Sequence, residues 1–203
     1  MNISTRPTTI LMSWDDYRLR RYDRSQIPWH NFRWEDGEVV TVGKEGFLHS
    51  LIAERLMDLI DAWISENGEQ WLCLGGKLEV EVRHSKHRGR IPDLLVISYD
   101  TAMQLSADNL DTITWDMPAP ILVVEVLSPS SVKTDLEDKD AEYWHRGVGE
   151  YMSIDRQNKS IIVRSRAEDG SYIRTEYGEG DAIALSTMPG LKIEVDRLIA
   201  EFS

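Results

Sequence analysis

The stretch ILVVEVLSPSS, residues 121–131, decides how this chain reads. Its first seven positions are β-branched or aliphatic except for one acid, Glu125. A short apolar run closed by a Ser-Pro turn reads as a strand buried on both faces. An ionised carboxylate inside such a run is costly unless a cation, a metal or hydrogen bonds compensate it. Upstream, RIPDLLVIS at 90–98 sets a second acid, Asp93, against a similar apolar run. Either acid alone reads most simply as a strand-end cap or an arginine partner. Two acids on two apolar strands point instead to a built metal site.

Working outward, WEDGEVVTV at 34–42 predicts a strand pair around the turn Asp36-Gly37. Leu48, Ile52, Leu56, Leu59, Ile60 and Trp63 recur at helical spacing, which predicts an amphipathic helix over about 46–66 with a stop at Asn67-Gly68. Strands are predicted over 71–74, 77–83, 91–98 and 121–127. In KLEVEVR at 77–83, Leu78, Val80 and Val82 take one face and Glu79 and Glu81 the other. The segment 99–120 is polar and irregular, long enough to hold a short helix or a flexible loop. Ser128 to Ser131 then end the central strand and cap a second helix, which begins near 131 or 135 and runs to His145, with Gly147 as its stop. Strands over 150–154, 160–166 and 171–177 are joined by short turns that suit antiparallel hairpins. LKIEV at 191–195 precedes a final helix over 196–202. The pattern is an α/β domain, a mixed sheet flanked by helices. No repeat or linker divides it, so residues 1–203 read as one domain, the first ~30 being a peripheral arm.

Two acids and a backbone carbonyl, that of Val126, would suit Mg²⁺ or Mn²⁺, which prefer oxygen ligands and keep several waters. Such an ion activates water and neutralises charge on a phosphate. A companion cation is wanted. Position 127, on the strand face of Glu125, is leucine, so the following helix is the source to consider. There Lys139 lies beside the stripe of Leu136 and Tyr143, at the edge of the buried face. Asp140 flanks the same stripe and is the competing partner for that lysine. Glu79 or Glu81 is a candidate third acid, set against a solvated strand face. His49 and Tyr143 are further candidates, with structural roles favoured for both. Glu54 reads as a surface salt-bridge former. The serines at 128, 130 and 131 lack the Gly-x-Ser-x-Gly elbow of a nucleophile.

The chain has 203 residues, 41 % hydrophobic and 29 % charged, which places it among folded globular proteins. Its single cysteine, Cys73, excludes an internal disulfide and reads as a small core residue of a reducing compartment. The opening MNISTRPTTILMSW has no long apolar core and no run is long enough for a bilayer, so the expected location is the cytoplasm. A net charge of −12 argues against a general nucleic-acid coat protein. It does not exclude a nuclease whose acids surround a metal, because the ion inverts the local field. RHSKHRGR at 83–90 packs four Lys/Arg and two His into eight positions. Its Arg83, Lys86, Arg88 and Arg90 are the candidate phosphate-facing residues, set against a solvated hairpin tip.

PD at Pro92-Asp93, VVEVLSPSS at 123–131, K-x-x-x-Y at Lys139 to Tyr143, G-V-x-E-Y at 147–151 and Asp155 occur in that order. This ordered set resembles the Uma family of putative restriction endonucleases, within the PD-(D/E)xK nuclease superfamily, and the resemblance covers most of the chain. It implies a restriction-endonuclease-like mixed β-sheet flanked by α-helices and a Mg²⁺- or Mn²⁺-dependent endonuclease acting on DNA. It implies that Asp93 and Glu125 are the metal acids and that Lys139 replaces a lysine normally found two residues after the glutamate. His49 matches a family position, and Met152 stands where tryptophan is common. The rival readings are a nuclease-fold protein that binds or regulates without cutting, and a metal-dependent hydrolase of a smaller phosphodiester. A homodimer is expected from the two strands of a duplex; protein partners are not specified.

Overall fold

A computed structural model of the chain describes residues 9–28, 32–41, 47–76, 78–83, 88–108, 110–127 and 133–199. The N-terminal part forms β1 (Thr9–Leu11), α1 (Trp14–Arg20), β2 (Phe32–Glu35) and β3 (Glu38–Thr41). Asp36 and Gly37 join β2 to β3 with φ of 47° and 88°, the positive pair that a two-residue hairpin turn needs. Ser13 caps α1, its hydroxyl accepting the Asp16 N–H at 3.1 Å. The segment read as a peripheral arm thus has its own aromatic core, in which Trp14, Tyr17 and Ile27 pack with Phe32, Trp34 and Val39.

Helix α2 (Phe47–Asn67) leads into β4 (Trp71–Gly75), then β5 (Glu79–Glu81), β6 (Gly89–Arg90) and β7 (Leu94–Ser98). The polar segment that follows contains α3 (Tyr99–Asp108) and β8 (Thr112–Ile113) before the central β9 (Leu122–Val126). Helix α4 (Lys133–Arg146) then crosses to β10 (Glu150–Asp155), followed by β11 (Ser160–Arg166) and β12 (Tyr172–Tyr177). Short β13 (Ala182–Ile183) and β14 (Ile193–Glu194) pair antiparallel, and α5 (Val195–Ile199) completes the described chain.

The main sheet has the order β12-β11-β10-β9-β7-β4. Among the described residues of this sheet, only β9 and β10 pair in parallel, and α4 is the crossover that a parallel pair requires. A second sheet, β6-β5-β8, stands apart from it. One face of the main sheet, with Leu94, Val124 and Met152, packs on Ile52, Leu56 and Ile60 of α2 and on Leu198 of α5. The other, with Leu95, Val123 and Tyr151, packs on Val80, Ile113 and Tyr143. Each fully buried Ile or Leu contributes about 1.5–3 kcal/mol. Met152 is fully buried in the first cluster, as a packing residue. Cys73 is also core, and burial pushes its thiol up to about 12. No helix among the described residues is long and apolar enough to cross a membrane.

One reading needs correction. Glu79 and Glu81 do not form a solvated strand face: both are buried, Glu79 against Tyr17 of α1 and Arg21 just after it, Glu81 against Arg88 and the Trp115 N–H. Of the two possibilities for 99–120, a short helix or a flexible loop, the structure shows the helix: α3 starts where the Thr101 N–H donates to Ser98 Oγ at 3.2 Å. The serines at 128, 130 and 131 lie outside the described residues, as do Lys86 and the end of the last helix.

Gly149 marks where the crossover closes. A Cβ there would lie 2.7 Å from the Ile121 carbonyl oxygen, backbone that β9 holds in place. Gly149→Ala is expected to destabilise the fold by about 1–3 kcal/mol in urea denaturation. Unchanged stability would show that this approach is not tight.

Candidate active site

The antiparallel register of β7 and β9 pairs Leu94 with Val124 and Leu95 with Val123. Extending that register by one step sets Asp93, in the bend before β7, across from Glu125, and the Asp93 charge acts on that acid. Opposite residues of an antiparallel pair project from the same face, so the two acids are cross-strand neighbours. They are 8 % and 6 % exposed.

Each carboxylate is held at both oxygens. Asp93 Oδ2 accepts the Val126 N–H at 2.6 Å, and Oδ1 lies 2.7 Å from His49 Nε2 at the start of α2. Glu125 Oε2 accepts from Lys139 Nζ at 3.0 Å, and Oε1 from the Tyr143 hydroxyl at 2.7 Å. Lys139 and Tyr143 are one helical turn apart on α4, so one helix face supplies both donors. Lys139 therefore points inward. Asp140, the competing partner, is 2.6 Å from Arg164 Nε instead.

Burial raises the Glu125 pKa; Lys139 opposes that shift and the Asp93 charge adds to it. The Tyr143 hydroxyl is held well above its usual range by burial and by the Glu125 charge. This is the signature of a site crowded with negative charge: Glu125 holds the Lys139 ammonium, while Asp93 beside it meets the Val126 N–H and the His49 ring. A carboxylate oxygen has two acceptor positions, so each of the four oxygens can accept beyond the partner described for it. Hard oxygen donors, excess negative charge and spare lone pairs fit a hard divalent cation.

The remaining candidates lie elsewhere. Glu79 accepts from Arg21 Nη1 at 2.9 Å and from Tyr17 and Thr112 hydroxyls at 3.3 Å. Burial raises its pKa, and Arg21 opposes the shift. Glu81 accepts from Arg88 at 3.2 Å and from the Trp115 N–H at 2.9 Å. Among the described residues, no three His, Cys, Asp or Glu are grouped to hold a metal, so neither glutamate joins the pair. Glu54 is exposed on α2.

The basic segment divides. Arg83 and Arg88 have side chains 46 % and 44 % exposed, and the Arg83 guanidinium stacks 4.4 Å from the Trp115 ring centre. Arg90 does not face solvent. Its Nε and Nη2 donate to both oxygens of Glu142, at 2.6 and 3.1 Å, in a buried pair. The expectation that Arg90 meets phosphate is corrected, because its fork is already filled. Sequence reading missed Glu142 and Arg164, and it set Asp140 against Lys139 rather than Arg164; for Arg164 the available signal was a lone Arg inside the apolar run of SIIVRSR.

A family model described as Uma2, putative restriction endonuclease, matches residues 14–196. The "Uncharacterized protein slr1290" of Synechocystis sp. (strain ATCC 27184 / PCC 6803 / Kazusa) is 26 % identical over 166 residues, 79 % of each chain. The crystal structure of a putative nuclease belonging to DUF820 from Anabaena variabilis ATCC 29413 superposes with a TM-score of 0.65. That match covers 86 % of this chain and 94 % of the other at 14 % identity, a likeness of fold.

Proposed function

The chain belongs to the Uma2 family of putative restriction endonucleases, and on that premise we propose that it is a divalent-metal-dependent endonuclease that hydrolyses DNA phosphodiester bonds. The observation that carries the reading is the opposed pair Asp93 and Glu125 with the Lys139 ammonium on Glu125. Asp93, Glu125 and the Val126 carbonyl would hold Mg²⁺ or Mn²⁺. When bound, the ion supplies Lewis-acid stabilisation of the phosphate and an activated water. Lys139 contributes a pre-aimed positive charge beside the developing phosphorane, where low water access makes it count for more. Tyr143 and the Val126 N–H fix one oxygen of each acid, and His49 stands at the other Asp93 oxygen, so the acids are oriented before substrate arrives. Arg83 and Arg88 are suited to contact the sugar-phosphate backbone. Cutting both strands of a duplex would use two copies of the chain.

A second reading is a nuclease fold that binds without cutting. It is favoured by the fact that every oxygen of the two acids already has a partner within the protein. Calorimetric titration of Mn²⁺, with and without DNA, separates the two. The endonuclease reading expects binding to the wild type that Asp93→Asn abolishes, together with Mn²⁺-dependent nicking of plasmid. Absence of binding under both conditions would leave the non-cutting reading. Lys139→Met is expected to keep Mn²⁺ binding and to slow nicking about 10²-fold, the cost of one preorganised charge. Nicking at the wild-type rate would remove Lys139 from the chemistry.

A further inference from the structure

We propose that Arg164, acting through Asp140, is a positioning residue that sets Lys139 on Glu125; this rests on reading Glu125 and Lys139 as parts of one site. Arg164 is on β11, two strands from Glu125, and is 4 % exposed. Its Nη1 donates to Ser153 Oγ at 2.7 Å. Ser153 is the residue that the parallel β9–β10 register places beside Glu125. Its Nε lies 2.6 Å from Asp140 Oδ1, on the residue next to Lys139. The guanidinium also stacks 4.6 Å from the Tyr151 ring centre. That ring lies 4.9 Å from Tyr143, whose hydroxyl donates to Glu125. Arg164 thus closes two circuits that both end on Glu125, one through Asp140 and Lys139, the other through Tyr151 and Tyr143.

The physical need arises because this lysine is on a helix. A lysine borne by the acid's own strand has its place fixed by the ladder. A helical lysine moves with every rotation or slide of its helix, and a long ammonium chain at the edge of a buried face otherwise turns out to water. Successive helix residues differ by about 100° around the axis. Holding Asp140 on one flank of the Lys139–Tyr143 stripe, while Arg90 holds Glu142 on the other, fixes α4 in rotation. A buried ion pair adds little stability over apolar residues of the same volume. Geometry is therefore the better account of why a guanidinium is buried here. A planar fork reaches Ser153 and Asp140 together, which a lysine cannot do.

The test reads the position of Lys139 directly. The whole protein is treated with limiting N-hydroxysuccinimidyl acetate, and acetylation of Lys139 is measured by peptide mass spectrometry against Lys159, whose side chain is 44 % exposed. In the wild type Lys139 is expected to be protected. Arg164→Met and Asp140→Asn are each expected to raise its relative rate about tenfold, a coupling usual within one ion-pair network. Mn²⁺ affinity is expected to stay near wild type, because both acids are untouched. Plasmid nicking is expected to lose kcat with KM held, a split that general loosening of the fold would not give. Folded variants in which Lys139 stays protected would overturn the proposal. If Arg164→Met does not fold, Asp140→Asn decides alone, since that side chain is 35 % exposed and tolerates an isosteric amide. A wild type that neither binds Mn²⁺ nor nicks DNA would overturn the endonuclease reading, while the acetylation ratio would still decide the role of Arg164.

Discussion

Glu125→Gln is expected to abolish Mn²⁺ binding and to lower plasmid nicking by at least about 10³-fold, the several kcal/mol that a catalytic metal supplies. The same change is expected to make the protein more stable at neutral and basic pH. The amide keeps the shape of the acid and one oxygen for Lys139, its NH2 group then donating to the Tyr143 hydroxyl, which turns to accept, and it removes a buried charge that faces Asp93. Burial, less the help of Lys139 and plus the Asp93 charge, raises the folded pKa of Glu125 above the ordinary 4.5. Below that ordinary value the carboxyl is protonated in both folded and unfolded chains, and its shift costs nothing. As pH rises past it the unfolded chain ionises first, and folding grows less favourable until the raised folded pKa is passed. Above that point the cost is constant. The stability advantage of Glu125→Gln should therefore widen in urea denaturation as pH rises above the ordinary carboxylate value, and level off once the raised folded pKa is passed. A variant that binds Mn²⁺ like the wild type, or an advantage that shrinks with rising pH, would contradict the assignment of a strained metal acid.

The elements that proved legible in the sequence are those whose signal is local. The run around Glu125 is a central strand because its apolar residues leave no polar face, and α2 follows from a stripe that repeats every three to four residues. Asp93 and Glu125 could be singled out because acids in apolar runs are costly. Their facing one another depends on the order β7-β9 in the sheet, which no local pattern specifies. Glu79 shows the converse failure. Strict alternation correctly separates it from Val80, yet the polar face of that strand is covered by Tyr17 and Arg21 of the N-terminal segment. Alternation tells which residues share a face, not what lies against it. The direction of Lys139 was open for the same reason: its choice between Glu125 and Asp140 is made by Arg164, which is far away in sequence.

Arg90 offers the other large effect, and it is one of stability. Arg90→Met is expected to cost about 3–5 kcal/mol, because it leaves Glu142 buried and uncompensated. Both partners are almost fully enclosed, with side chains 6 % and 2 % exposed, so water cannot take the place of the lost guanidinium. The double variant Arg90→Met/Glu142→Leu is expected to recover most of that loss, since two apolar groups of similar volume need neither desolvated charge nor ideal geometry. Urea denaturation of the wild type, both single variants and the double variant closes the cycle. The Arg83–Arg90 segment, read as a row of equivalent cations, predicts something different: a stable Arg90→Met protein with weaker DNA binding and a salt slope lower by about 1. The buried pair predicts that slope for Arg83 or Arg88 variants only. A well-folded Arg90→Met protein with a reduced slope would therefore place the guanidinium on phosphate, and would remove one of the two anchors that hold α4, and Lys139 with it, against the sheet.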